Sequence, residues 1–188
     1  MNYNPDIHHR RSIRIKGYDY SQEGAYYFTI CSHQKQCLLG EIINGIMQPN
    51  IAGATVAAVW HNLPRHFPFL ELDAFIIMPN HVHGIIVIAE QQNNINNNQL
   101  LTAQTNFQTS LPNGTKAGSL GAILQNFKSV STRQVNRITR NSGTIWQRNY
   151  YEQIIRDEQA YNNIRRYIIE NPLTWEDDEE NITKFKPT

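Results

Sequence analysis

Two histidines one residue apart, His81 and His83, are the positions in this 188-residue chain whose types and spacing most directly suggest chemistry. They flank Val82 in an apolar run of strand length, and side chains two apart on a strand project from the same face. Two imidazoles so placed make a bidentate metal site suited to zinc, manganese, nickel or copper. A catalytic magnesium or manganese ion would need a further oxygen ligand and open positions for substrate. His-Val-His is weak evidence when isolated, because paired histidines also serve purely structural hydrogen-bonding roles.

A nucleophile and a third ligand stand far down the chain. Tyr167 and Asn171 are four residues apart, which puts them on one face of a helix, and the Asn171 amide oxygen could serve a hard cation. Tyr167 is next to Ile168 at the edge of the helix's apolar stripe, so its ring could pack while its hydroxyl reaches a site. The bland reading of the same pair is a boundary tyrosine with a satisfied hydroxyl and an asparagine that closes the helix before Pro172.

The elements that must position these groups are legible as periodicity. Ala25 to Ile30 is dense in aromatic and β-branched residues after Gly24, a buried-strand pattern. Asn44-Gly45 between Ile43 and Ile46 predicts a two-residue hairpin turn. From Asn50 to Leu63 the pattern is helical, with Thr55, Val59 and Leu63 on one stripe, Val56 and Trp60 beside it, and Pro64 ending it. Leu70 to Met78 and Val82 to Ile88 read as antiparallel strands around the turn-forming Pro79-Asn80-His81. Ser119 can cap a helix carrying Leu120, Ile123, Leu124, Phe127 and Val130, and Thr144 to Trp146 can return to the sheet. Asp157 can cap the last helix, whose stripe is Ala160, Tyr161, Ile164 and Ile168. Frequent hairpins without a glycine-rich phosphate loop favour a mainly antiparallel sheet with helices on one side.

Composition bounds the answer. The chain is 40% hydrophobic, enough for one core, and residues 1–188 are read as a single domain. An Asn/Gln-rich stretch at 90–118 is expected to be a mobile insertion, and an acidic C-terminal tail starts at Glu176. No run reaches the roughly 18 apolar residues of a membrane span, and the start is polar and basic, so a cytoplasmic location is expected. Cys31 and Cys37 lack metal-knuckle spacing and fit a reducing compartment. The net charge of +1 is uninformative, but its distribution is not. Arg10, Arg11, Arg14 and Lys16 crowd the N-terminus, and Ser119 to Tyr150 holds Lys128, Arg133 and Arg148 among its cations with no acid. Such acid-poor basic zones leave room for a backbone-tracking nucleic-acid surface, although ordinary solvated faces have the same look.

Phe75-Ile76-Ile77-Met78-Pro79-Asn80-His81-Val82-His83-Gly84-Ile85-Ile86-Val87 closely resembles the His-hydrophobe-His (HUH) segment of single-tyrosine transposases. Trp146-Gln147-Arg148-Asn149-Tyr150-Tyr151-Glu152, Ile155-Arg156-Asp157-Glu158 and Tyr167-Ile168-Ile169-Glu170-Asn171-Pro172 resemble the C-terminal part of their REP-associated branch. Arg14, Tyr18 to Ser21, Gly24 and Tyr26 to Ile30 resemble its entry strand. The resemblance covers most of the chain outside the insertion and the acidic tail.

It implies a ferredoxin-like α+β domain with an antiparallel sheet, helices packed on one face and a C-terminal helix carrying the nucleophilic tyrosine, here Tyr167. It implies a divalent ion, Mg2+ or Mn2+, at His81 and His83. The family's third ligand falls on Asn171, with neighbouring Glu170 kept in view. The implied reaction is cleavage and rejoining of single-stranded DNA beside palindromic hairpins through a 5′-phosphotyrosine, by a monomer or homodimer. Arg10, Arg11, Arg14, Lys16, Lys128, Arg133 and Arg148 are the candidate DNA contacts, and Tyr150, Tyr151 and Tyr161 are rival nucleophiles. Two other readings compete: a catalytically lapsed hairpin-DNA-binding regulator of the same fold, and a hydrolase using the histidines on a small substrate.

Overall fold

A computed structural model describes residues 15, 17–89 and 115–181. Arg10, Arg11, Arg14 and Lys16, and residues 90–114 of the Asn/Gln-rich stretch, lie outside the described residues.

The central sheet has four strands: β1 (Gly24–Cys31), β4 (Leu70–Ile77), β5 (His81–Ile88) and β6 (Tyr151–Ile155), in the order β4-β5-β1-β6. Every neighbouring pair is antiparallel. A separate hairpin, β2 (Gly40–Ile43) and β3 (Ile46–Pro49), turns at Asn44 and Gly45, both at positive φ (51° and 73°). That backbone is what the Asn-Gly pair predicts.

Helix α1 (Ile51–His61) starts where Asn50 Oδ1 accepts from the amides of Ala52 and Gly53 at 2.9 and 3.0 Å. It ends before Pro64, which instead occupies the first turn of the short α2 (Leu63–His66). A proline costs no hydrogen bond there. Ser119 caps α3 (Leu120–Thr139), and Asp157 caps α4 (Glu158–Glu170), accepting from Ala160 N at 2.7 Å. The Thr144–Trp146 piece does reach the sheet, as a single bridge between Trp146 and Ser32. Strand β6 is absent from the sequence expectations, because Tyr151-Glu152-Gln153 interrupts any apolar run.

Strand alternation divides the interior in two. Tyr26, Phe28 and Ile30 of β1 and Val82, Ile86 and Ile88 of β5 join Trp60 of α1 and Phe127 of α3 in the main core. There Trp60 stacks on Phe75 with ring centroids 4.4 Å apart. The other parity, Tyr27 with Ile85 and Ile155, meets Ile168 of α4 in a smaller cluster. Helices α1 and α3 thus share one face, and α4 packs on the opposite one against β4 and β5. Its stripe is the expected one, with Ile168 buried and Ala160, Tyr161 and Ile164 packed around it. Among the described residues, no helix is long and apolar enough to cross a membrane.

Candidate active site

Register places the histidines. On β5, Val82 points into the main core while His81 and His83 point with Ile85 toward the α4 face, and both imidazoles are almost fully buried. Burial favours the neutral ring: it is the largest cause holding His81 down at about 3, and it also holds His83 well below the ordinary histidine value. Neutral imidazole is the form that binds metal.

The two Nε2 atoms approach to 2.9 Å. His81 Nδ1 lies 2.8 Å from the side-chain amide oxygen of Asn80, Oδ1, an acceptor only, so the proton of this ring sits on Nδ1 and its Nε2 lone pair faces His83. Asn80 is itself held, its amide donating to the carbonyls of Lys35 (3.1 Å) and Glu180 (2.6 Å). His83 Nδ1 lies 2.8 Å from both the Tyr27 and Thr29 hydroxyls. Ligand histidines are typically oriented by just such partners on the other ring nitrogen.

Helix α4 delivers Tyr167. The helix crosses the sheet so that its ring stands edge-on to His83 at a centroid distance of 5.3 Å, with 48% of the residue exposed. Desolvation, then the Asp178 charge, raises its pKa, while hydrogen bonds from Asn171 and Tyr27 pull the other way. One turn on, Asn171 is 1% exposed and its Oδ1 is buried with no hydrogen-bond partner. An orphaned buried acceptor is costly and marks a place for a cation or donor.

The chain does not leave the site after Pro172. A 3-10 segment, Asn171–Asp177, brings Asp178 back over the histidines, with Oδ2 3.9 Å from His81 Nε2. Ligand atoms of His81, His83 and Asp178 lie within 4.8 Å of one another. Two neutral imidazoles, a buried carboxylate and an orphaned amide oxygen form a donor set that fits a hard divalent ion. A cleft of about 620 Å³ opens beside them, lined by Tyr27, Thr29, His83, Tyr151, Tyr167 and Asn171, among others.

No protein-family model matches the chain. A Haemophilus influenzae protein described as uncharacterized is 46% identical over 179 residues, covering 94% of this chain and 96% of its own length. A second protein of that organism, named REP-associated tyrosine transposase, is 26% identical over 156 residues, covering 82% of this chain and 73% of its own. The fold matches the solved structure of a REP-associated tyrosine transposase bound to a REP hairpin, with TM-score 0.55 and 18% identity over 86% of this chain and 73% of that one. The chain is thus a distant homologue of one REP-associated tyrosine transposase and a fold neighbour of another.

The positions singled out by sequence fall into two groups. His83, Tyr167 and Asn171 line one cleft, and His81 stands buried behind it with its Nε2 2.9 Å from that of His83. Of the rival tyrosines, Tyr161 donates to Asp73, which Arg165 also contacts at 3.2 Å. Tyr151 lines the cleft with its hydroxyl 3.3 Å from Gln153 Oε1, and Tyr150 packs against the main core beneath Lys128. Lys128, Arg133 and Arg148 border a second cleft of about 550 Å³ between α3 and the loop before β6. Gln147 and Tyr150 line both clefts, so the basic one adjoins the site. Trp146 is a core residue, its indole N–H donating to Ser131 Oγ at 2.8 Å.

Sequence reasoning missed Asp178, Asn80, Tyr27 and Thr29. The last two carried a signal: hydroxyl groups at alternate positions of an otherwise aromatic strand mark a polar face. Asp178 carried none, since it looked like part of a solvated acidic run.

Proposed function

We propose that this protein cleaves and rejoins single-stranded DNA beside palindromic hairpins, with Tyr167 as the nucleophile. The observation that carries the reading is the convergence of Tyr167, Asn171 and His83, from elements about ninety residues apart in sequence, on one cleft, with His81 paired to His83 behind it. A likeness to a transposase bound to a REP hairpin supports the substrate class. His81 and His83, with Asn171 Oδ1 and the Asp178 carboxylate, would hold a divalent ion, Mg2+ or Mn2+. Bound there, such an ion supplies charge neutralisation for a non-bridging phosphate oxygen.

The tyrosine oxygen attacks phosphorus, the bond to the 3′ oxygen breaks, and that oxygen leaves as a hydroxyl. The product is a 5′-phosphotyrosine that conserves the energy of the ester, so a different 3′-OH can reverse the step and join new ends. A phenol with a pKa near about 10 is protonated at neutral pH, and here burial raises it further. The Asn171 amide and the Tyr27 hydroxyl, each favouring the phenolate, are the chain's own counterweights. The site's half-exposed tyrosine leaves room for a strand to enter, and Lys128, Arg133 and Arg148 would grip its phosphates.

The test is covalent trapping. Labelled hairpin-flanked single-stranded DNA incubated with Mn2+ or Mg2+ gives a denaturation-resistant adduct, which disappears in Tyr167→Phe, in the His81→Ala/His83→Ala double variant and in excess EDTA. Hairpin binding persists in Tyr167→Phe. An undiminished adduct in Tyr167→Phe overturns the nucleophile and moves it to Tyr150, Tyr151 or Tyr161. No adduct in the unaltered protein, with hairpin binding intact, favours the lapsed regulator.

A further inference from the structure

Tyr27 and Thr29 sit on β1 with their side chains on the α4 face, 7% and 8% exposed, in register with Gln153 and Tyr151 of β6 on one side and with Ile85 and His83 of β5 on the other. Thr29 Oγ1 donates to the Tyr27 hydroxyl at 2.9 Å, and both oxygens lie 2.8 Å from His83 Nδ1. The Tyr27 ring also stacks on the His83 ring at 5.7 Å and meets the Tyr167 ring edge-on at 6.4 Å. Tyr27 thereby adjoins Tyr167 as well as His83. One hydroxyl pair therefore touches both halves of the site, the ligand histidine and the nucleophile.

The chemistry of His83 gives that pair a task. With His81 fixed as the Nδ1–H tautomer by Asn80, two neutral rings whose Nε2 atoms are 2.9 Å apart are compatible in two ways. Either His83 carries its proton on Nε2 and donates it to His81, with a hydroxyl donating to Nδ1, or a cation takes both Nε2 lone pairs and the His83 proton moves to Nδ1. The second state needs an acceptor at Nδ1. A carbonyl there would be unable to donate in the first state, and an amide N–H unable to accept in the second. A hydroxyl can do either.

We propose that Thr29 and Tyr27 are positioning residues that let His83 exchange tautomers as a divalent ion arrives and that hold Tyr167 in place at the same time. In the ion-bound state the protons run in one direction: His83 Nδ1–H to Thr29 Oγ1, Thr29 O–H to the Tyr27 oxygen, and Tyr27 O–H to the Tyr167 oxygen. Each oxygen accepts one hydrogen bond and Thr29 and Tyr27 each donate one, so no buried group is left over. Metal capture and orientation of the nucleophile are then parts of one chain. The inference rests on the tyrosine-nucleophile reading for its Tyr167 end and is independent of it at its His83 end.

The experiment uses the full chain and two readouts, Mn2+ affinity followed by loss of the free-ion electron paramagnetic resonance signal, and the rate of adduct formation at saturating Mn2+ and DNA. Thr29→Val keeps the shape and removes the acceptor. Its Mn2+ affinity should fall by about tenfold to a hundredfold, the usual cost of losing a ligand histidine's outer partner, while Thr29→Ser restores it. Tyr27→Phe keeps the ring and should lower the adduct rate about tenfold or more with hairpin Kd unchanged, the loss expected of a misplaced reacting group.

Unchanged Mn2+ affinity in Thr29→Val overturns the tautomer role, and so does a Thr29→Ser variant as weak as Thr29→Val, since packing would then be the cause. An unchanged rate in Tyr27→Phe overturns the link to Tyr167. If the unaltered protein binds Mn2+, the Thr29 series behaves as expected, and no adduct forms at all, then the nucleophile reading fails and takes the Tyr27–Tyr167 link with it. The His83 role stands in that case.

Discussion

The same strands serve two faces with opposite contents. On the α1/α3 side, Phe28, Ile30, Val82 and Ile86 meet Trp60 and Phe127 in a continuous apolar interior. On the α4 side the buried apolar cluster is Tyr27, Ile85, Ile155 and Ile168, and beyond it Thr29, His81, His83, Asn171 and Asp178 gather, with the rings of Tyr27, Tyr167 and Trp175 against the histidines. Moving one residue along β5, from Val82 to His83, exchanges a core side chain for a candidate ligand. Rigidity is supplied by one face and chemistry by the other, and the sheet between them is what holds two buried imidazoles at a fixed separation.

Disrupting the apolar face should hurt stability most. Trp60 is 1% exposed and packs on Phe28, Phe75 and Phe127, so Trp60→Ala should cost about 3–5 kcal/mol in urea-unfolding stability. Gly84 lies on that face too, where an added Cβ would come within 2.7 Å of the Phe28 ring and 3.1 Å of Phe75. Gly84→Ala should cost about 1–3 kcal/mol by overpacking. By contrast Tyr167→Phe, at a half-exposed position, should leave stability within about 0.5 kcal/mol of the unaltered protein while removing the adduct. A Tyr167→Phe variant as unstable as Gly84→Ala would mean the two faces are not separable in this way.

The division also explains what was legible in the sequence. Apolar periodicity marks the core face directly, so β1, β4, β5, α1, α3 and α4 could all be outlined from residue types. Edge strand β6 could not, because its residues alternate between a partly filled core and a polar cleft and look like neither. His81, His83, Tyr167 and Asn171 were readable through spacing and the family resemblance. Asp178 was not, because its role depends on the 3-10 turn after Pro172 folding back over β5, a tertiary event that residue types do not record. Asn80 was visible only as a turn former; its grip on Lys35 and Glu180, which fixes it against His81, exists once those three segments meet.

A pH series probes the polar face alone. His81 has its folded pKa depressed from 6.5 to about 3, mainly by burial. Between those values the unfolded chain binds a proton that the folded chain refuses, so the unfolded state holds more protons and stability rises with pH. The contribution is complete above 6.5 and is lost as pH falls toward about 3. In EDTA, the urea midpoint of the unaltered protein should drop across this window, and His81→Gln should flatten that slope. An equal slope in both would mean that the ring is not held neutral.

The smallest effect should come from the rim, where the polar face meets the basic cleft. Arg133 and Arg148 are exposed, whereas Lys128 is partly buried and its ammonium donates to the carbonyls of Gln147 and Arg148 at 2.6 and 2.8 Å. Its pKa is lowered to about 8 by desolvation, so it stays largely charged at neutral pH while acting as a strut between α3 and the loop that leads to β6. Arg133 is exposed on α3, and its loss should affect phosphate contact only. Arg133→Ala should weaken hairpin binding evenly across sequences and reduce the slope of log Kd against log salt by about 1, with stability unchanged. Lys128→Ala should weaken binding and lower stability together. If Arg133→Ala leaves the salt slope unaltered, the basic cleft is an ordinary solvated surface and the strand enters the site by another edge.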